Sequence, residues 1–237
     1  MSSKEHLLQG SSTPACVATM VSMIRALLAC FVAFLLSLAA EPITPDAIAK
    51  QILAPLLDPA KVNTLKGDRP ANARLYRVLG WLETARRAGG DVPAVIDAAQ
   101  AAAGYAGTKG AAADKLAITW SHQKLAGFEC FSPAGIAKMK KGGSPQILAG
   151  HYAGDFIALD HVLPRAVVPE LAARFYNLEA IPARLNLAKS AKITEREILL
   201  ARRWKRDGLL SPEGLAAVES VAKKSPTPPP IADCSAP

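Results

Sequence analysis

The sequence predicts an α+β protein, a predominantly helical chain with a small β element in its C-terminal half. Three observations carry this expectation. Alanine supplies 45 of 237 residues and aromatic residues only 5%, a mix that suits helices and argues against an all-β sandwich or barrel. From Thr44 to about residue 126, apolar residues recur at helical spacing. After Phe128 the texture changes to short apolar runs separated by Gly, Pro and Asp. Charged residues make up 20%, which argues against wholesale disorder.

Residues 1–40 read as a signal peptide or membrane anchor. Ala26 to Ala40 form an apolar run of 15 residues, preceded by Arg25 and closed by small residues at Ser37, Ala39 and Ala40. That arrangement marks an export signal, and the run is short for a spanning helix, which needs about 20 residues. The expected location is periplasmic or secreted, with inner-membrane anchoring as the alternative. Cleavage leaves Cys130 and Cys234, which an oxidising compartment would allow to pair.

The helical N-terminal region spans 41–127. Thr44-Pro45-Asp46 opens a helix with Thr44 as N-cap, and Ile48, Ile52, Leu53 and Leu56 follow at helical spacing. Asp68-Arg69-Pro70 opens a second helix, which Gly89-Gly90 ends. Ala-rich helices are expected over about 92–104 and 110–125. Trp81 and Trp120 read as core or helix-packing residues, and His122 as a helix-surface residue.

Residues 128–222 form the second region. Ser132-Pro133 starts a short helix through Met139. Gln146 to Tyr152 and Phe156 to Val162 read as a β-hairpin turning at Ala153-Gly154-Asp155. Residues 169–176 are a helical or irregular insertion, and Asn177-Leu178-Glu179 restarts an extended piece. Pro182 precedes a helix from Ala183 to Ser190. Thr194 and Glu197 fit a capping box, Ser211-Pro212-Glu213 starts the last helix, and the Pro-rich tail 223–237 reads as disordered.

The net charge is +8, and it is concentrated. Between Lys124 and Arg206 stand 14 basic and 7 acidic residues, a surplus of +7. An anionic partner, nucleic acid or a membrane surface, suits such a region. Signatures of serine hydrolases, zincins and P-loop proteins are absent from the sequence.

The informative constellation is Asp160-His161-Val162-Leu163-Pro164-Arg165, then Asn177-Leu178, then Asn186 with Lys189 three residues on. Two oxygen ligands, Asp160 and Asn186, suit a hard cation that keeps several waters. An unperturbed histidine titrates near pH 6.5, which suits a general base at neutral pH, and His161 is the candidate. The joint pattern resembles the HNH endonucleases, the ββα-metal group that includes colicin-type DNases and the HNH domain of CRISPR effector nucleases. The resemblance covers roughly residues 146–192.

It implies a small ββα-metal motif and phosphodiester hydrolysis with one divalent cation, Mg²⁺ foremost, with Mn²⁺, Ni²⁺ or Zn²⁺ as alternatives. By the same resemblance His161 is the base, Asp160 and Asn186 are the metal ligands, and Asn177 braces the loop that orients the base. Arg165 and Lys189 are candidates for holding the substrate phosphate. The expected partner is nucleic acid, DNA ahead of RNA, with no small-molecule cofactor and with membrane contact only if the N-terminal segment stays uncleaved. The competing reading is a non-catalytic envelope protein that keeps the ββα shape for nucleic-acid binding or scaffolding. A helical interaction protein anchored in the inner membrane, with a chance motif, is a third.

Overall fold

The first described helix starts where the sequence places it. Thr44 is extended, and its hydroxyl accepts the Ala47 N–H at 3.2 Å, so the side chain satisfies an N–H that the first turn leaves open. The structure, a computed structural model, describes residues 43–224 apart from 63, 66, 67, 190 and 191. The export segment, Cys234 and most of the Pro-rich tail therefore lie outside the described residues, and so does the Cys130–Cys234 pairing. Among the described residues no helix is long and apolar enough to cross a membrane.

The described chain is mostly helical with one two-stranded antiparallel sheet. Helix α1 (Pro45–Ala47) runs through a π-helical stretch (Ile48–Leu53) into α2 (Ala54–Leu57), followed by α3 (Pro59–Val62) and α4 (Asp68–Arg87). Gly89, at φ 89°, ends α4, with the Gly90 N–H donating to Ala85 O at 2.9 Å. Then come α5 (Val92–Ala102), α6 (Lys109–Gly127) and α7 (Pro133–Lys140). Helices α4 and α7 pack closely at Gly80, where an added Cβ would stand 2.9 Å from the Met139 Cβ.

The sheet differs from the expected hairpin. Strand β1 (Ile157–His161) pairs with β2 (Leu178–Pro182), which leads directly into α8 (Ala183–Lys189). Residues 146–152 contribute a single bridge, Gln146 to Phe156. The Ile147 N–H donates to Asp155 O, the Gly154 N–H to Ile147 O and the Ile157 N–H to Pro145 O, so this segment pairs with the start of β1 and the residues leading into it, and not along the strand. The partner strand comes instead from the extended piece after Asn177. Helices α9 (Glu195–Arg206), opened by the expected Thr194–Glu197 capping box, and α10 (Pro212–Lys224) complete the described chain.

Two apolar clusters flank the sheet. The larger draws on residues both before and after position 127, from Ile48, Leu79 and Ile118 to Leu159, Leu178 and Ala180. The second joins Val162, Leu163, Val168 and Leu171 to Trp204 and Val218. Helix α4 satisfies exposed backbone groups of β1: the Tyr76 hydroxyl donates to Ile157 O at 2.7 Å, and the Asn72 amide to Leu159 O at 3.5 Å. A two-stranded sheet is marginal alone. Here the helical region holds β1 by its core-facing side chains and by its carbonyls.

Candidate functional site

Strand alternation sorts the two central residues of the motif onto different faces. Asp160 stands opposite Glu179, and His161 opposite Leu178. The His161 face continues through Leu159 and Ala180 into the large core. The Asp160 face carries a cluster of charges.

His161 is half-buried, and its Nε2 lies 2.9 Å from Ala172 O. A carbonyl only accepts, so Nε2 carries the proton in this contact and Nδ1 of the neutral ring keeps its lone pair. Ala172 sits in the loop between the strands, whose geometry depends on Asn177. That residue is fully buried. Its Oδ1 accepts the Leu163 N–H at 2.8 Å, and its Nδ2 donates to Leu163 O at 3.1 Å and Leu171 O at 3.3 Å. The Val162 N–H donates to Asn177 O at 2.9 Å. One amide thus ties the start of the excursion between the strands to its end, at Leu163 and Leu171, whose buried backbone groups have no water to turn to.

On the other face, Lys189 Nζ donates to Asp160 Oδ2 at 2.6 Å, to His161 O at 3.1 Å and to Glu179 Oε1 at 3.4 Å. Arg196 of α9 reaches Glu179 through Nη2 to Oε2 at 2.9 Å and Nη1 to Oε1 at 3.3 Å. Lys124 of α6 adds a third cation 3.5 Å from Glu179 Oε2. Burial alone would push the Glu179 carboxyl up. The Arg196 hydrogen bonds and the charges of Arg196, Lys124 and Lys189 outweigh it and hold the group at about 2. Glu179 is therefore an anion at any physiological pH, and three elements depend on it for charge pairing.

Asn186 lies one turn before Lys189 on α8, and i, i+3 neighbours share a helix face. Since Lys189 reaches Asp160, Asn186 stands on the side of α8 turned toward β1. It is half-buried, and among the described residues its amide makes no hydrogen bond to protein. Arg165 is exposed in the turn after Pro164. Asp160, Lys189 and the Asn186 face of α8 are thus brought together, while His161 and Asn177 are tied to the loop behind them. Among the described residues no three His, Cys, Asp or Glu side chains converge as a metal cage. His151 packs edge-on against Tyr152, and Asp155 pairs with Arg184, so neither joins Asp160.

Two expectations outside the motif are corrected. His122 is buried, not on the surface: its Nε2 lies 3.2 Å from Glu83 Oε2 and its ring stacks on Phe131. Burial holds its pKa below the ordinary value, with Glu83 opposing. The reason is that α6 turns this side toward α4. Trp120, read as a packing residue, is 55% exposed, with Lys124 Nζ 5.7 Å from its ring centroid. Sequence reasoning also missed Glu179 and Arg196 as members of the site. The usable signal was the register: with Asn177 closing the loop, Glu179 falls opposite Asp160.

Compared with models of known protein families, with curated proteins and with solved structures, the chain matches none.

Proposed function

We propose that the chain is a metal-dependent HNH-type endonuclease that hydrolyses phosphodiester bonds in nucleic acid. The observation that carries the reading is the strand–loop–strand–helix order, which brings Asp160 together with Lys189 of the helix that also bears Asn186. Asp160 and His161 end the first strand, Asn177 clamps the loop, and β2 runs directly into the helix bearing Asn186 and Lys189. The basic surplus of the same region supports an anionic substrate.

The residues fit a hard divalent cation. Asp160 already accepts a cation, the Lys189 ammonium, and Asn186 offers a second oxygen with no competing protein bond among the described residues. Two such ligands suit Mg²⁺, which keeps waters that a phosphate can replace. When bound, the ion would stabilise charge developing on the phosphate and on the leaving 3′-oxygen. As the base, His161 would take a proton from water at Nδ1, with Ala172 O holding the ring by its Nε2–H; this requires a bend at the strand end that brings His161 and Asp160, on opposite faces of β1, to one substrate. The hydroxide oxygen bonds phosphorus, the 3′-oxygen leaves, and a 5′-phosphate end results. Asn177 keeps the loop carrying Ala172 in place, and Arg165 and Lys189 are the candidates for contact with substrate phosphate.

One observation favours a non-catalytic nucleic-acid-binding role as the second reading: Lys189 neutralises Asp160 within the protein. Nicking of supercoiled plasmid separates the two. The wild type should nick with Mg²⁺ and not with EDTA, and His161→Ala should lose about 10²–10⁴-fold in rate while still binding the metal. A wild type that binds no divalent metal, or His161→Ala that nicks like wild type, ends the catalytic assignment.

A further inference from the structure

Helices α6 and α9 face each other across a cleft of about 430 Å³. Helix α6 presents Ala113, Leu116, Ala117 and Trp120, and α9 presents Leu200 and Trp204. These recur at helical spacing along one stripe of each helix. The small side chains of Ala113 and Ala117 leave the space open, and the floor includes Trp204, which packs edge-on against Tyr176 at 5.2 Å. An apolar cleft of this size with a few polar anchors is the usual form of a ligand site.

Two independent observations point to an occupant. Ser121 lines the cleft and is 1% exposed, yet its Oγ has no hydrogen-bond partner. A buried hydroxyl without a partner is destabilising unless a ligand satisfies it. The rim carries a cationic surplus, with Lys109 and Lys124 from α6 and Arg196 and Arg203 from α9, of which Lys124 and Arg196 share Glu179 and Arg203 pairs with Asp207. Trp120 stands exposed among these charges. Glu179 forms part of the cleft wall and shares Lys189 with Asp160, so the cleft adjoins the proposed catalytic face.

We propose that this cleft receives an unpaired nucleobase, stacked on Trp120 and hydrogen-bonded at its edge by Ser121, with the flanking phosphates along the Arg196–Arg203 rim. Flat π-faces on aromatic side chains inside a basic groove are how unpaired strands are held without sequence preference. A duplex cannot present a base this way without opening. The inference rests on the nuclease reading and narrows its substrate to strands that are single or locally unpaired.

The test is binding to the full-length chain in EDTA, read by fluorescence anisotropy. The probes are a short fluorescein-labelled oligothymidylate and the same strand annealed to oligoadenylate. The single strand should bind at least about tenfold more tightly than the duplex. Trp120→Ala should weaken single-strand binding by about 5- to 150-fold, the worth of one aromatic–base stack, and leave duplex binding within about twofold. Ala117→Phe, which fills the cleft and keeps Trp120, should reproduce the loss. Equal affinity for the two probes, no binding of either, or single-strand binding unchanged in both variants would overturn the proposal. Because cleavage plays no part in EDTA, the two failures are distinguishable. A chain that holds the single strand through Trp120 but never nicks plasmid loses only the nuclease reading. One that nicks while Trp120→Ala binds like wild type loses only this inference.

Discussion

Removing the Asn177 side chain should unlatch the loop between the strands. Asn177→Ala deletes the acceptor of the Leu163 N–H and the donor to Leu163 O, at 2.8 and 3.1 Å. Leu163 is fully buried, so water cannot replace either bond. The third contact matters less, because Leu171 O still accepts the Arg174 N–H at 3.1 Å. Two stranded backbone groups at about 1–3 kcal/mol each give a loss of about 3 kcal/mol, taking the lower part of the range because the loop can relax. For a domain of this size about 2–4 °C accompany each kcal/mol, so thermal unfolding followed by circular dichroism should shift down by about 6–12 °C.

Two controls sharpen the result. Asn177→Asp keeps an oxygen for the Leu163 N–H but turns a carboxylate oxygen toward two carbonyls, so at neutral pH it should be at least as damaging as alanine. Asn186→Ala, which breaks no protein hydrogen bond among the described residues, should stay within about 0.5 kcal/mol of wild type. If Asn177→Ala unfolds within about 1 kcal/mol of wild type, the clamp does not hold the loop. The account of how His161 is oriented through Ala172 then fails with it.

Lys189→Met removes the ammonium that occupies Asp160. Divalent-metal affinity, measured by calorimetry with Mn²⁺, should rise at least about threefold, because a like charge beside the ligand is gone; unchanged or weaker binding would show that the lysine does not compete. Asp114 of α6 accepts the Tyr176 N–H at 3.0 Å, and burial pushes its carboxyl up to about 7, with that hydrogen bond and Arg174 opposing. A raised folded pKa means that its favourable contribution is present below the unfolded value near 3.9 and is lost as pH rises toward 7. Asp114→Asn keeps an acceptor oxygen without the charge, so it should melt above wild type at pH 8 and level with it near pH 4. Equal melting temperatures at pH 8 would refute the buried-charge argument.

Local chemistry was legible in the sequence wherever a few neighbouring residues decide the outcome. Thr44, Ser132 and the Thr194–Glu197 pair each cap the helix that follows them, because a cap is a contact across three residues. The ends of α4 fell where Asp68-Arg69-Pro70 and Gly89-Gly90 put them. Asp160, His161, Asn177 and Asn186 could be picked out because their spacing is itself the signal. Pairing over longer separations was not legible. The expected partner of β1 was the nearest extended run, residues 146–152. The actual partner begins 17 residues after His161, because Asn177 and the apolar side chains of Val162, Leu163 and Leu171 make the long loop a packed unit.

That register alone sets Glu179 against Asp160, and the packing of α6 and α9 beside it brings in Lys124 and Arg196. The same packing decided that His122 is buried and Trp120 exposed, two positions about 200° apart around one helix. Composition and periodicity determine that a segment is helical and that it has an apolar side. Which neighbour covers that side is a matter of contacts between residues distant in the chain, whose free energy exists only once the backbone has closed around them.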